Sequence, residues 1–392
     1  MIGLGGVGSF ALRSLSKETK HVLGIERFVR GHSKGSSHGQ SRIYRKAYFE
    51  SPKYVPWIEY SLDQFQILEK EMDVSLMKEC GMILVQKDNG HYLEVCRQSA
   101  KLHNITTETL RVDALRQRFP HFNYTEDMIG ILEPGGGLLR PERTICSALK
   151  QAEQQGATIW EGCRVTSLVE VSNGLSGHVE LIVKHPSGED EQVFARSALV
   201  GAGSWGSELI PSFRPHLKVL RQIQSWIDVS TLENPEIYKA GNMPGFVLVS
   251  PWWPLPLYGL PVDDQCDGEV YRQSIKFGVH ERQEVVQPSN NPSSVSREEL
   301  DEIRIAAKAG LNSEVCSLPI TGAAPCLYTM TKDRDFIIGV PKGYQRTFAV
   351  LGLSGHGFKM VPALGQMMAD FALRRPLDSW QKEFCSPSRF NV

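Results

Sequence analysis

The sequence predicts an α/β protein in which a doubly wound nucleotide-binding domain alternates along the chain with a second domain of antiparallel sheet, and three stretches predict it. Gly3-Leu4-Gly5-Gly6-Val7-Gly8 has the G-x-G-x-x-G spacing, and Val7, Phe10, Ala11, Leu12 and Leu15 continue it as an amphipathic helix. Thr144 to Gln155 reads as a helix closed by Gly156 and followed by extended Thr158-Ile159-Trp160, a unit that can return to the same parallel sheet. From about Lys218 to Cys316 the texture turns β-rich, with Gln222 to Val229 and Phe246 to Val249 as strands and a proline-dense stretch from Pro251 to Pro261.

In the first unit, Gly3 and Gly5 permit a tight turn and close approach of a phosphate, and Gly8 lets the helix pack on the strand. A diphosphate would lie at the helix N-terminus. The extended run His21 to Ile25 ends in Glu26, 18 positions beyond Gly8, where a Rossmann-like fold places the carboxylate that binds a ribose 2′-OH. Only Met1 and Ile2 precede the glycines, so most of the first strand is missing. Either the chain starts inside that strand, through a truncated or mis-assigned start, or the fold has lost it.

Further along, Val165 to Val171, Val179 to Lys184 and Gln192 to Ala195 form a meander with turns at Asn173-Gly174 and Pro186-Ser187-Gly188. Ala198 to Gly203 is a buried strand ending in glycines, where backbone can approach a cofactor; Val165 and Gly203 join the cofactor-binding candidates. Ser61 to Glu71 and Leu110 to Phe119 carry helical periodicity. These readings assign 1–78, 132–212 and 322–392 to the nucleotide domain and 79–131 and 213–321 to the second.

Composition narrows the partners. With 41% hydrophobic and 22% charged residues the chain is an ordinary globular protein, and 43 basic against 44 acidic residues leave no electrostatic footprint for nucleic acid or a membrane surface. Eight scattered cysteines show neither a C-x-x-C pair nor zinc spacing, which points to buried thiols in a reducing compartment. No apolar run reaches the ~18 residues of a spanning helix. The expectation is a cytoplasmic, monomeric enzyme with a small-molecule substrate; a peroxisomal site would lack the usual tripeptide, since the chain ends Arg389-Phe390-Asn391-Val392.

Four segments carry candidate chemistry. In Ser274 to His280, strand alternation puts Lys276, Gly278 and His280 on one face, either the solvated face of an edge strand or a cation and an imidazole flanking room for something flat. His38 to Lys46 places Arg42 and Arg45 at i and i+3, a solvated surface or, if buried, an anion site. Ser354 to Lys359 is a glycine-flanked turn between an apolar strand, Phe348 to Leu353, and a helical pattern, Pro362 to Leu373; its backbone N–H groups can stabilise an anionic ring edge or simply close a loop. Cys326, on its own terms, is a buried thiol.

Taken in order, these segments resemble the sarcosine oxidase family, which includes monomeric sarcosine oxidase, N-methyltryptophan oxidase and pipecolate oxidase. The resemblance spans nearly the whole chain. It is specific at His38-Gly39 through Tyr48 with Tyr54-Val55-Pro56, at Tyr258 to Pro261, at Cys326 to Thr329 with Asp335 to Ile338, and at Ser354 to Lys359. It implies FAD as cofactor, bonded covalently through Cys326, and cofactor contacts from Gly3, Gly5, Gly8, Glu26, His38, Arg42, Val165, Gly203, Gly355, Gly357 and Lys359. It further implies Arg45 and Lys359 on the substrate carboxylate, Tyr258 and His280 on the amine side, Arg42 and Lys276 against the flavin, and Lys276 as the cation that activates O₂. The implied reaction is oxidation of a secondary amino acid by hydride transfer, imine hydrolysis and reoxidation by O₂ to H₂O₂. A flavin dehydrogenase with another acceptor and a non-catalytic relative that no longer binds FAD are the competing readings. Two departures stand out: Gly339 replaces an Asp usual after Phe336-Ile337-Ile338, and Pro251-Trp252-Trp253-Pro254 is expected to reshape the side-chain end of the pocket.

Overall fold

The computed structural model describes residues 1–171, 177–377 and 383–391; the expected turn at Asn173-Gly174 lies outside them. The helix Gly6–Ser16 follows the glycine run directly. Gly3 turns with φ +83°, and a Cβ on Gly8 would stand 1.9 Å from the Gly3 carbonyl oxygen, so helix and turn can touch only with glycine there. Farther along, a Cβ on Gly365 would meet the Ala11 nitrogen at 2.6 Å, which lets the helix Val361–Ala372 pack closely on the first.

Ile2 supplies what there is of the first strand. It bridges Ile25 on one side and Val200 on the other, both parallel, and so joins the pair Leu23–Ile25 and Thr158–Trp160 to the set Ala198–Val200, Thr347–Leu351 and Ile337–Gly339. Two backbone hydrogen bonds on each side hold it: Gly3 N to Ile25 O and Ile25 N to Met1 O at 2.9 Å, Ile2 N to Leu199 O at 2.8 Å and Gly201 N to Ile2 O at 2.9 Å. Through this bridge the turn that follows Ile2 is held between its two neighbours. Gly339, the departure from the family pattern, ends the strand Ile337–Gly339 with φ +149°, a conformation that suits glycine.

The second layer is an eight-stranded sheet in the spatial order Ile320–Met330, Lys218–Asp228, Ser274–Val279, Leu257–Leu260, Gly245–Leu248, Met82–Lys87, Met128–Glu133 and Glu108–Arg111. A three-stranded sheet of Arg42–Tyr44, Gly137–Leu139 and Met77–Glu79 accompanies it. The meander Arg164–Val171, His178–Lys184 and Asp190–Ala195 forms a separate antiparallel sheet, closed at Gly188 as expected. No helix among the described residues is long and apolar enough to cross a membrane.

Three expectations are corrected. Ser274–Val279 is no edge strand with a solvated face: all six residues are buried, between Lys218–Asp228 and Leu257–Leu260. The helical periodicity from Leu110 begins at Val112, because Glu108–Arg111 pairs with Met128–Glu133 and tertiary pairing overrides local propensity. From the Pro251 to Pro261 stretch only Tyr258 and Leu260 reach the main cavity; Trp252 is exposed and Trp253 packs against the core of the large sheet.

Candidate active site

A cavity of ≈ 260 Å³ runs between the two layers. At one end it is walled by Glu26, Arg27 and Trp205; its middle passes the turn Gly3 to Val7, where the first helix presents its N-terminus; its far end holds Arg42, Arg45, Tyr258, Lys276, His280, Cys326 and Lys359. Val165, Gly203, Gly355 and Gly357 also line it. Gly8 and His38 stand behind the wall, Gly8 against Gly3 and His38 almost wholly buried. The bland readings of the basic segment fail at Arg45, which is buried, and at Arg42, which is half-buried.

At the far end, the alternation of the strand Ser274–Val279 delivers Lys276 and His280 to the same space. Lys276 Nζ donates to the carbonyl oxygens of Gly39 and Ser41 at 2.8 and 2.7 Å. An ammonium has three hydrogens, so one remains beyond these two bonds, and the nitrogen also lies 5.7 Å from the centre of the Trp226 ring. Burial pushes its pKa well down, and neighbouring Arg42 adds to the effect. Arg42 is itself fixed by Gln224 Oε1 at 2.8 Å and Ser36 O at 2.7 Å, which brings its Nη2 to 3.6 Å from Cys326 Sγ. Cys326 is buried in the strand Ile320–Met330, and its thiol faces this cation at the cavity wall.

Arg45 is stacked with Cζ 3.7 Å from the centre of the Phe49 ring, and its Nη2 holds both Glu50 oxygens at 3.0 and 2.8 Å. Its Nε and Nη1 are buried with no partner among the described residues. Lys359 Nζ donates to His356 O at 2.9 Å and to the Tyr48 hydroxyl at 3.3 Å. Burial lowers Lys359 to about 7, with Glu50 opposing the shift and Arg45 adding to it. Burial pushes the Glu50 carboxyl up, but Arg45, His356 and Lys359 together bring it down to about 2. The imidazoles of His280 and His356 are each lowered to about 4, chiefly by burial, and are neutral at physiological pH. Burial raises Tyr258 to about 12, so it keeps its proton.

A pH dependence follows. Lys359 is charged below about pH 7 and loses its charge above it. A small carboxylate without an amine, titrated into the protein, should bind more weakly as pH rises from about 7, by up to about tenfold per unit. In Lys359→Met that slope should be absent; a parent whose affinity is flat between about pH 6 and 9 would remove Lys359 from the anion site.

Several wall residues carried no usable sequence signal. Arg27 Nη1 and Trp205 Nε1 are buried donors without partners among the described residues, and Arg27 and Trp205 line the cavity with Glu26. Glu26 accepts from Leu4 N at 2.7 Å and Phe28 N at 2.9 Å, which ties the glycine turn to the end of the strand Leu23–Ile25. A Cβ on Gly203 would meet nothing within 4 Å, and one on Gly5 only Ser37 Oγ at 3.7 Å. Unpaired donors at Arg27, Trp205 and Arg45, a helix N-terminus and a cationic far end suit a long anionic dinucleotide with a second anion beside it. The residues present therefore fit FAD.

The fold and the cavity suit a protein that would hold a dinucleotide between a Rossmann-like layer and a mostly antiparallel sheet. Residues 1–371 match the family of FAD dependent oxidoreductases, and the chain belongs to that family. It is 29% identical over 376 residues to N-methyl-L-tryptophan oxidase of Yersinia pestis (strain Pestoides F), covering 96% of this chain and 95% of that relative. Among solved structures it resembles NikD, described as an unusual amino acid oxidase essential for nikkomycin biosynthesis, with a TM-score of 0.79 at 18% identity, over 98% of this chain and 96% of that one. Glycine oxidase from Geobacillus kaustophilus gives 0.76 at 15% identity, over 99% and 97%.

Proposed function

We propose that the protein is an amine oxidase that acts on a small secondary amino acid, N-methyl or cyclic, with FAD bonded through Cys326 Sγ. The observation that carries this reading is the meeting of Arg45, two of whose buried donors have no partner among the described residues, with Lys359, His280, Tyr258 and Cys326 along one cavity wall. That arrangement suits one carboxylate beside a nitrogen and a C–H bond, and the N-methyl-L-tryptophan oxidase relatives favour the substituted amine.

Bound FAD would supply the hydride acceptor and the route of electrons to O₂. Arg45 and Lys359 would hold the substrate carboxylate and so fix the C–H bond in place, turning binding energy into orientation. His280, neutral and 3.3 Å from the Tyr328 hydroxyl through Nδ1, and Tyr258 would line the amine side without adding positive charge. The surrounding cations Arg42, Arg45, Lys276 and Lys359 favour the uncharged amine, whose lone pair the oxidation needs. The remaining Lys276 hydrogen would face the anion formed as O₂ is reduced, and the product would be H₂O₂. The same reading takes the enzyme to be monomeric and cytoplasmic.

The test is a panel of N-methyl and cyclic amino acids added anaerobically to the FAD-loaded protein, followed by admission of air with peroxide detection. Bleaching of the flavin by a secondary but not the matching primary amino acid, with one peroxide per turnover, supports the proposal. Bleaching without peroxide, with electrons passed only to a dye, would replace the oxidase reading by a dehydrogenase.

A further inference from the structure

Lys276 is buried to 2% exposure, and its nitrogen is bonded, among the described residues, to two backbone carbonyls rather than to a carboxylate. A buried ammonium beside Arg42 needs compensating charge to remain an ammonium. The carbonyls it uses come from a short loop with unusual backbone: Gly39 has φ +97° and Gln40 has φ +66°, and a side chain on Gly39 would collide with Gln224 Oε1 at 2.1 Å. A non-glycine residue in the left-handed region persists only where its surroundings hold it.

Glu142 holds it. This residue is in the first turn of the helix Pro141–Gln154 and is not part of the cavity wall. Its Oε1 accepts from Gly39 N at 2.5 Å, and Gln40 N lies 3.2 Å from each of its oxygens. The loop thus presents two successive N–H groups to one carboxylate, a backbone anion nest. Gly39 O and Gln40 N belong to the same peptide unit, and in a trans peptide the C=O and N–H point in opposite directions. That one unit therefore has its negative end on Lys276 and its positive end on Glu142.

We propose that Glu142 is the positioning counter-charge of Lys276, acting through the aligned peptide unit between Gly39 and Gln40. It fixes the loop that supplies both carbonyl ligands, and its charge, transmitted by the peptide dipole, keeps Lys276 protonated inside the protein. The other ionisable groups around Lys276 are Arg42 on the strand Arg42–Tyr44, His38 in the same loop, Cys326 on the strand Ile320–Met330 and Tyr258 on the strand Leu257–Leu260. Arg42 disfavours the ammonium, His38 is itself held neutral by burial with Arg42 and Lys276, Tyr258 keeps its proton, and Cys326 would be an uncharged thioether in the FAD-loaded protein, so Glu142 supplies the compensating charge. The consequence for turnover rests on the reading of Lys276 as the cation of the oxygen step.

The experiment is ¹⁵N NMR of Lys Nζ in the FAD-loaded protein, with Lys276 assigned by its loss in Lys276→Met and followed from about pH 5 to about pH 10. In Glu142→Gln, which keeps an oxygen acceptor but removes the charge, the Lys276 midpoint should fall by about one unit or more, about tenfold in the ratio of neutral to charged amine. Glu142→Asp should restore most of it. The alkaline limb of flavin reoxidation by O₂ should move down with the midpoint. A folded Glu142→Gln protein whose midpoint coincides with the parent overturns the inference. A midpoint that falls while the reoxidation profile stays put supports the link from Glu142 to Lys276 and refutes the separate reading of Lys276 as the cation of the oxygen step.

Discussion

Lys276→Met should slow reoxidation of the reduced, FAD-loaded protein by O₂ about 10²–10³-fold, while anaerobic reduction by substrate changes by less than about tenfold. The asymmetry follows from placement. Lys276 is held by Gly39 O and Ser41 O beside Arg42 and lines the same cavity end as Arg45 and Lys359, but in this account it is those two that would hold the substrate carboxylate. A fixed charge is most effective where new charge develops, and in this account that happens as O₂ takes an electron. Methionine fills nearly the same volume, so the comparison isolates charge from packing. Stopped-flow traces of the two half-reactions, recorded separately, decide it. Equal slowing of both would assign Lys276 to binding or to the fold.

Arg45→Ala should lower kcat/KM for the amino acid by about 10²–10³-fold, since truncating one partner of a buried, hydrogen-bonded charge pair costs about 2–5 kcal/mol. Two losses combine: the unpartnered Nε and Nη1 donors disappear, and Glu50 is left buried without the cation that holds it ionised. Arg45→Lys keeps the charge but not the fork, and should recover only about a tenfold part. The control is the amide of the same amino acid, which has no carboxylate to hold. Parent and variant should differ far less with the amide, and an equally large loss there would show that Arg45 supports the fold and not the substrate.

Much of this site was legible before the structure because its signals are local. The first helix, the helix Pro141–Gln154, the meander and the strand ending at Val200 follow from periodicity and glycine placement within a dozen residues. Lys276 and His280 share a face because strand side chains alternate, whatever the strand packs against. What the strand packs against was not legible: its neighbours come from residues near 226 and 258, and only the assembled sheet shows that both edges are paired and all six residues buried. Leu110 misled for the same reason, since its helical spacing yields to pairing with Gly130.

The least legible part is what holds the functional groups in place. Glu142 reaches Gly39 across 103 residues, Tyr54 donates to Asp335 across 281, and Arg27 and Trp205 converge on the cavity from different segments. Each is an ordinary residue in its own neighbourhood. The first strand shows the opposite case: Ile2 bridges both neighbours, and four backbone hydrogen bonds carry the register that the glycine turn needs.

The central claim, that this cavity carries FAD bonded at Cys326, is tested most directly by an absorbance spectrum of the purified protein before and after acid precipitation. The account predicts a flavin spectrum that stays with the precipitate in the parent and passes to the supernatant in Cys326→Ala. Flavin released from the parent by acid would contradict the covalent bond, and a colourless protein that takes up no added FAD would contradict the oxidase reading as a whole.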